Sequence, residues 1–286
     1  MSVLITGSAG QLGRELCERL APGTEVQACD RQQLDLEDFA AIRTVLRARR
    51  PAVVINCAAY TAVDAAESDA ARAFRVNAEA PGIVAREARA IGARVIHCST
   101  DFVFDGRSVR PYTESDATAP LSVYGRSKRE GELAVLAADP TAVVLRLAWV
   151  YGAYGRNFVS SILAAARAGR ELRVVDDQVG SPTWAGAIAE AIAQLLQPDT
   201  LAAAHGLYHV AGAGVCSRAE LAEAILTGAP DAPLATHRVS RISSAELALP
   251  APRPAYSALD ASRLARELGI VLPPWRDQLA TYLRTA

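Results

Sequence analysis

The chain has 286 residues, 51% of them hydrophobic, which is enough for one large core or two fused ones. With 30 basic and 31 acidic residues the formal net charge is −1, which excludes the electrostatic footprint of a nucleic-acid or anionic-lipid binder. Five cysteines (Cys17, Cys29, Cys57, Cys98 and Cys216) lack CxxC spacing, and four scattered histidines form no HxxxH or HExxH pair, so neither a disulfide framework nor a catalytic metal is expected.

The first apolar run, Val3–Ile5, is preceded by neither a charged leader nor a long hydrophobic stretch. A cytoplasmic protein with no signal peptide and no membrane partner is therefore expected. Directly after that strand comes Gly7-Ser-Ala-Gly10-Gln-Leu-Gly13, opening a helix over residues 10–20. In such a loop the first glycine permits a tight turn, the second lets backbone approach a pyrophosphate, and the third lets the helix pack on the strand. Gly7, Gly10 and Gly13 are thus candidate dinucleotide-binding residues.

The second strand, 25–29, ends before Asp30, placed to meet adenosine ribose hydroxyls and favouring NADH. Arg31 and Arg14 are placed to neutralise a 2′-phosphate and favour NADPH, so the choice of cofactor stays open. Asp35-Leu36 either flanks the adenine or caps the following helix, 38–49. A third strand, 52–56, leads into Cys57-Ala-Ala59, where small side chains suit a close cofactor approach. A helix over 70–91 and a strand over 94–98 follow, and then Ser99-Thr100 at the carboxyl edge of the sheet, where α/β folds bind ligands.

Tyr124-Gly-Arg-Ser-Lys128 begins the helix 124–138. Its i,i+4 spacing puts phenol and ammonium on one face, and a nearby cation is expected to lower the tyrosine pKa. Lys128 is the only lysine of the chain, and Asn56, Asn77 and Asn157 are its only asparagines. Residue types so sparingly used are retained where their particular chemistry matters. A fifth strand, 142–147, completes an alternating pattern that predicts an α/β fold with a doubly wound parallel sheet.

Beyond about residue 151 the pattern loosens into helices over 158–168, 185–196, 218–226, 261–268 and 275–283. Proline-rich connections at 230–233 and 250–254 join them. The expected organisation is a Rossmann-like dinucleotide domain over 1–150, revisited near 184–200, and a smaller, mostly helical substrate-binding lobe over 151–286.

Taken together, the motifs resemble the dTDP-4-dehydrorhamnose reductase family of extended short-chain dehydrogenases. They are GSAGQLG at 7–13, NCAAYT at 56–61 with Val63-Asp64, STDFVFDG at 99–106, the Tyr124/Lys128 pair, RLAWVYG at 146–152, Asn157-Phe-Val159, DQVGSPT at 177–183, and Arg253-Pro254 with Ser257-Ala-Leu-Asp260. They run in order along nearly the whole chain. The resemblance implies NADPH- or NADH-dependent reduction of dTDP-4-dehydro-L-rhamnose, a nucleotide-sugar substrate, at C4. Tyr124 would protonate the forming alkoxide, Lys128 would tune Tyr124 and hold the nicotinamide ribose, and Thr100 would orient the carbonyl. By motif position, Gly10, Gln11, Leu12, Asp30, Asp35, Leu36, Ala58, Ala59 and Tyr60 would line the cofactor site. Thr100, Asp101 and Trp149 would meet the sugar, with Asn157 and Arg253 at the nucleotide half.

Tyr256 departs from the asparagine usual in the family. Some relatives dimerise around magnesium through acidic helix residues. Glu15 and Glu190 are the counterparts here, but Gln194 stands where a further carboxylate is expected, so no metal is assigned and a homodimer stays open. A nucleotide-sugar dehydratase would need an acid after Asp101, where Phe102 stands, and an epimerase tends to have a larger lobe. A cofactor-binding regulatory subunit, like that of methionine adenosyltransferase, is the alternative from another class. The intact Thr100, Tyr124 and Lys128 argue against it.

Overall fold

The computed structural model describes residues 1–229 and 238–285; the proline-rich connection at 230–233 lies outside the described residues. Six parallel strands form the central sheet: β1 (Ser2–Thr6), β2 (Glu25–Cys29), β3 (Val53–Asn56), β4 (Arg94–Thr100), β5 (Val143–Leu147) and β6 (Gly206–Val210). Their order across the sheet is β2-β1-β3-β4-β5-β6. The chain therefore moves outward in opposite directions from β1 and β3, and a crevice opens at their carboxyl ends. The strands are Val- and Ile-rich and nearly continuous in burial, as a sheet covered on both faces requires.

On one face pack α1 (Gln11–Leu20) and, from the second half of the chain, the Ala-rich α6 (Ala185–Leu195), with Leu16, Ile188 and Ile192 buried against Val3, Ile5 and Leu145. On the other lie α2 (Phe39–Arg49), α3 (Ala80–Ala90) and α4 (Val123–Ala138), burying Ile42, Val84 and Val135 against Leu4, Val54 and Val144. Each such aliphatic side chain contributes about 1.5–3 kcal/mol on burial. A separate apolar cluster holds the lobe together. It joins α5 (Phe158–Arg167), α7 (Arg218–Gly228) and α9 (Trp275–Thr285), with α8 (Ser262–Leu268) returning to the main sheet through Leu264. Short strand pairs, such as Val150–Tyr151 with Thr183–Trp184, knit the lobe to the edge of β5.

Two features differ from the sequence expectation. The helix expected over 70–91 is broken by a π-turn, Arg75–Glu79, between Ala70–Phe74 and α3. Pro81 has no N–H to offer the Asn77 carbonyl four residues back. That carbonyl instead meets α4 so closely that a Cβ at Gly131 would stand 2.0 Å from it. Strand β6 was not expected. Its Gly-Leu-Tyr-His-Val sequence carries a fully buried polar residue, His209, which interrupts the apolar signal. All five cysteines are free thiols, and no helix of the described residues is long and apolar enough to cross a membrane.

Candidate active site

A cleft of about 750 Å³ runs along the carboxyl ends of β1, β2, β3, β4 and β5. At one end the chain leaves β1 through Gly7, whose φ is +66°, a conformation natural only to glycine. A Cβ at Gly13 would stand 2.2 Å from the Gly7 carbonyl oxygen, so the tight turn and the close approach of α1 require each other. Helix α1 begins at Gly10 with no side-chain cap, which leaves first-turn amides and the positive dipole end beside the cleft. Gly7, Gly10, Gln11, Leu12 and Gly13 all line it.

Asp30, Arg31, Asp35 and Leu36 form the next wall. The Asp30 carboxylate accepts hydrogen bonds from the backbone amides of Gln32 and Gln33 at 2.9 and 3.0 Å, which fixes the turn after β2. Arg31 is bonded to Asp35 at 3.3 Å and Glu37 at 2.7 Å, and Arg72 shares Glu37 at 2.8 Å. The helix cap proves to be Asp38, which accepts from the amides of Ala40 and Ala41, so Asp35 is left facing the cleft. Its carboxyl is held below the usual range, first by the Glu37 amide and then by Arg31.

Ala58, Ala59 and Tyr60 continue this wall, pinned by residues to which sequence reading assigned no role. The Asn77 side chain accepts from the Tyr60 amide at 2.8 Å, then donates to the Tyr60 carbonyl and to the Ser127 hydroxyl, each at 3.0 Å. One amide on the π-turn thereby ties the cofactor-side loop to the helix bearing Tyr124 and Lys128. Asn56 does the same below the cleft: it accepts from Thr6 at 2.6 Å and lies 3.0 Å from His97 Nδ1, linking β1, β3 and β4.

Thr100, Tyr124 and Lys128 converge at the end of β4 and all face the cleft. Lys128, only 2% exposed, donates from Nζ to the Cys98 carbonyl at 2.6 Å. Burial pulls its ammonium down to about 8, partly offset by Cys98 and Glu132. The tyrosine pKa expected to fall is instead pushed up to about 12. Removal of the phenol from water dominates, the Thr100 hydrogen bond lowers the value, and the Asp101 charge raises it. With its cation spent on the Cys98 carbonyl, the phenol is the stable species in this state.

Beneath them, Glu132 on α4 takes bonds from Ser99 at 2.7 Å, from Arg146 at 2.8 Å through both oxygens, and from Arg129 at 3.2 Å. Glu132 is fully buried, so losing one partner of such a pair costs about 3–5 kcal/mol and would loosen α4 against β4 and β5.

At the far end the chain turns through Trp149, with φ +44° for a bulky residue, a strained conformation costing about 1–3 kcal/mol. Asp101, 2% exposed, accepts from Ser257 at 2.6 Å and Thr100 at 3.1 Å. Burial raises its carboxyl to about 6 despite those bonds. Asn157 lines the cleft but is committed as the cap of α5, its amide donating to Gln11 at 2.9 Å and Gly152 at 2.8 Å. Arg253 does not line the cleft: both its terminal nitrogens lie 2.7 Å from the Asp64 carboxylate. Arg218, absent from the sequence expectation, does line it. A lone arginine at the start of α7 carries no motif, and only the folded lobe brings it over Trp149.

A second hollow of about 590 Å³, between α1 and α6, is lined by Glu15, Glu190 and Gln194, and Glu190 is paired with Arg19. Among the described residues no group of three or more His, Cys, Asp or Glu is arranged to hold a metal.

A glycine-turn anion cradle, a doubly wound parallel sheet and a Thr/Tyr/Lys set at the end of β4 together define an extended short-chain dehydrogenase. The model of the RmlD substrate binding domain family matches residues 1–286. The chain is 44% identical to a probable dTDP-4,6-dihydroxy-2-methyloxan-3-one 4-ketoreductase of Streptomyces antibioticus, covering 97% of this chain and 92% of that protein. It is also 44% identical to a dTDP-4-dehydrorhamnose reductase of Mycobacterium tuberculosis, covering 98% and 92%. The crystal structure of dTDP-4-dehydrorhamnose reductase from Bacillus anthracis in complex with NADP superimposes with a TM-score of 0.93 at 33% identity, over 100% of this chain and 99% of that one. The chain belongs to the RmlD substrate binding domain family, and with it to the dTDP-4-dehydrorhamnose reductases.

Proposed function

We propose that this chain reduces the C4 keto group of dTDP-4-dehydro-L-rhamnose to give dTDP-L-rhamnose, with NADPH or NADH as reductant. The observation that carries the reading is the convergence of Thr100, Tyr124 and Lys128 on the wall of a cleft that begins at the Gly7–Gly13 turn. The cofactor fits that end: the turn has room for no side chain at Gly13, and α1 offers uncapped amides to a pyrophosphate. Gly7, Gly10, Gln11, Leu12 and Gly13 would hold the phosphates, and Asp30, Arg31, Asp35 and Leu36 the adenosine. Ala58, Ala59 and Tyr60 would line the path to the nicotinamide, whose ribose Lys128 would hold.

When bound, the dihydronicotinamide supplies the two electrons and the hydrogen that reduce C4. Thr100, whose single hydroxyl proton goes to Asp101 in the free protein, turns it to the carbonyl oxygen, and Tyr124, protonated up to about 12, delivers a proton to that oxygen as its charge develops. Lys128, one turn along the same face of α4 and charged at neutral pH, would stabilise the phenolate left behind. Trp149 lines the sugar end of the cleft, and Asp101 holds the Thr100 hydroxyl there until the substrate arrives. In this reading residues 1–150, rejoined at 184–200, hold the cofactor and carry the reacting side chains, and the remainder mainly binds the nucleotide sugar.

Similar identity to the Streptomyces antibioticus protein supports a second substrate within the same chemistry, another dTDP-4-keto sugar. The deciding assay follows NADPH or NADH consumption with each keto sugar and identifies the product, with Tyr124→Phe as control. Stoichiometric oxidation of cofactor, formation of dTDP-L-rhamnose, and a rate lower by about 10²- to 10⁴-fold in the variant are expected. Binding of both cofactors without turnover of any keto sugar would favour the regulatory-subunit alternative.

A further inference from the structure

The cleft holds a half-buried cation, Arg218, that the cofactor end does not explain. Arg218 opens α7, and its guanidinium carbon lies 3.5 Å from the centroid of the Trp149 ring and 5.1 Å from that of Phe158. Trp149 cannot retreat from it, because a Cβ at Gly180 would stand 2.3 Å from the indole Cε2. Gly180 backbone, indole and guanidinium thus form a fixed stack. Stacking covers a face of the guanidinium and leaves its N–H edge, the part that recognises phosphate oxygens in pairs.

That edge has no carboxylate hydrogen-bonded to it among the described residues. The contrast with the other arginines nearby is direct. Arg31 and Arg72 carry Asp35 and Glu37, Arg253 is held by Asp64, and Arg156 is exposed to water. Arg218 is half-buried, and burial pulls its guanidinium down to about 10. The Asp101 carboxylate is near enough to act on both Arg218 and Tyr124, but spends its oxygens on Ser257 and Thr100. A part-desolvated cation with a free donor edge, lining the same cleft as the reacting phenol, calls for an anion brought by the ligand.

We propose that Arg218, braced by Trp149, is the diphosphate-binding residue of the substrate half of the cleft, taking the phosphate oxygens of a nucleoside diphosphate sugar. This rests on the nucleotide-sugar reading above. A bare keto sugar would leave the guanidinium unanswered, whereas a diphosphate supplies both charge and paired acceptors.

The test is calorimetric titration of the NADPH-loaded protein with dTDP, with thymidine and with inorganic pyrophosphate, for wild type, Arg218→Gln and Arg218→Lys. In Arg218→Gln, dTDP binding is expected to weaken on the order of ten- to a hundredfold, and in Arg218→Lys by less. Thymidine and NADPH should bind both variants as they bind wild type, the latter reporting an intact fold. Unchanged dTDP affinity in Arg218→Gln overturns the proposal. So does a wild type that does not bind dTDP, or an equal loss of thymidine, which would make Arg218 only a prop for Trp149. The two readings fail separately: loss of dTDP binding in Arg218→Gln without keto-sugar turnover by wild type keeps the subsite and sinks the reductase, and the reverse pair of results does the opposite.

Discussion

The two ends of the cleft handle charge in opposite ways. At the cofactor end the two arginines beside Asp35 are matched within the protein: Arg31 and Arg72 share Glu37, and Arg31 also reaches Asp35. At the substrate end the charges are buried and left incomplete. Among the described residues Lys128 is hydrogen-bonded to a carbonyl, Arg218 meets aromatic faces, and Asp101 is hydrogen-bonded to hydroxyls. The first wall is a surface that stands ready without its ligand. The second stores unfavourable desolvation that a bound, charged substrate relieves, which is the usual signature of a reacting centre.

Breaking the incomplete end should cost most. Lys128→Met is expected to lower kcat/KM for keto-sugar reduction by about 10²- to 10⁴-fold. In wild type the ammonium, with its pKa pulled down to about 8, is charged below that pH and neutral above it, so kcat/KM should fall as pH rises past about 8. Lys128→Arg stays charged throughout and should lose that alkaline limb, even if it is slower. A wild-type profile flat to pH 10 would refute the assignment.

A moderate effect should follow at Asp101. Its folded pKa, raised to about 6 from 3.8, means that the folded state holds this proton more tightly than the unfolded chain does. The resulting stability is present at low pH and lost as pH rises through about 6, where the buried carboxylate becomes a penalty. Asp101→Asn should therefore raise Tm by a few degrees at pH 7.5, with a smaller gain at pH 5, while lowering activity. An equal Tm shift at both pH values would show that packing, not charge, decides it.

The smallest effect belongs to the matched wall. Glu37→Gln removes the carboxylate shared by Arg31 and Arg72 and should shift the ratio of kcat/KM values toward NADPH by a few-fold, with the fold unchanged. No shift would mean that neither arginine reaches the ribose region.

How much of this was legible follows from range. Strands β1 to β5 and the helices between them are written in local periodicity, and the Gly7–Gly13 turn and the Tyr124/Lys128 spacing are local geometry that a linear sequence displays. The π-turn at Arg75–Glu79 was in principle readable from Pro81, but its consequence, Asn77 clamping Tyr60 to Ser127, spans distances along the chain that no window sees. Strand β6 was hidden because a buried histidine reads as polar.

The sequence by itself determined the alternation of strands and helices, the phosphate-binding turn, the phenol–ammonium pair and, through ordered motifs, the family. These depend on the 2- and 3.6-residue periods of the backbone and on neighbours within a few positions. Only the tertiary structure decided which charges are answered: that Arg253 belongs to Asp64, that Asn157 is a cap, that Tyr124 sits above its ordinary pKa rather than below it, and that Arg218 faces the cleft with no carboxylate bonded to it among the described residues. Pairing and desolvation depend on which distant segments meet and how much water they exclude, and neither quantity is a property of the linear order of residues.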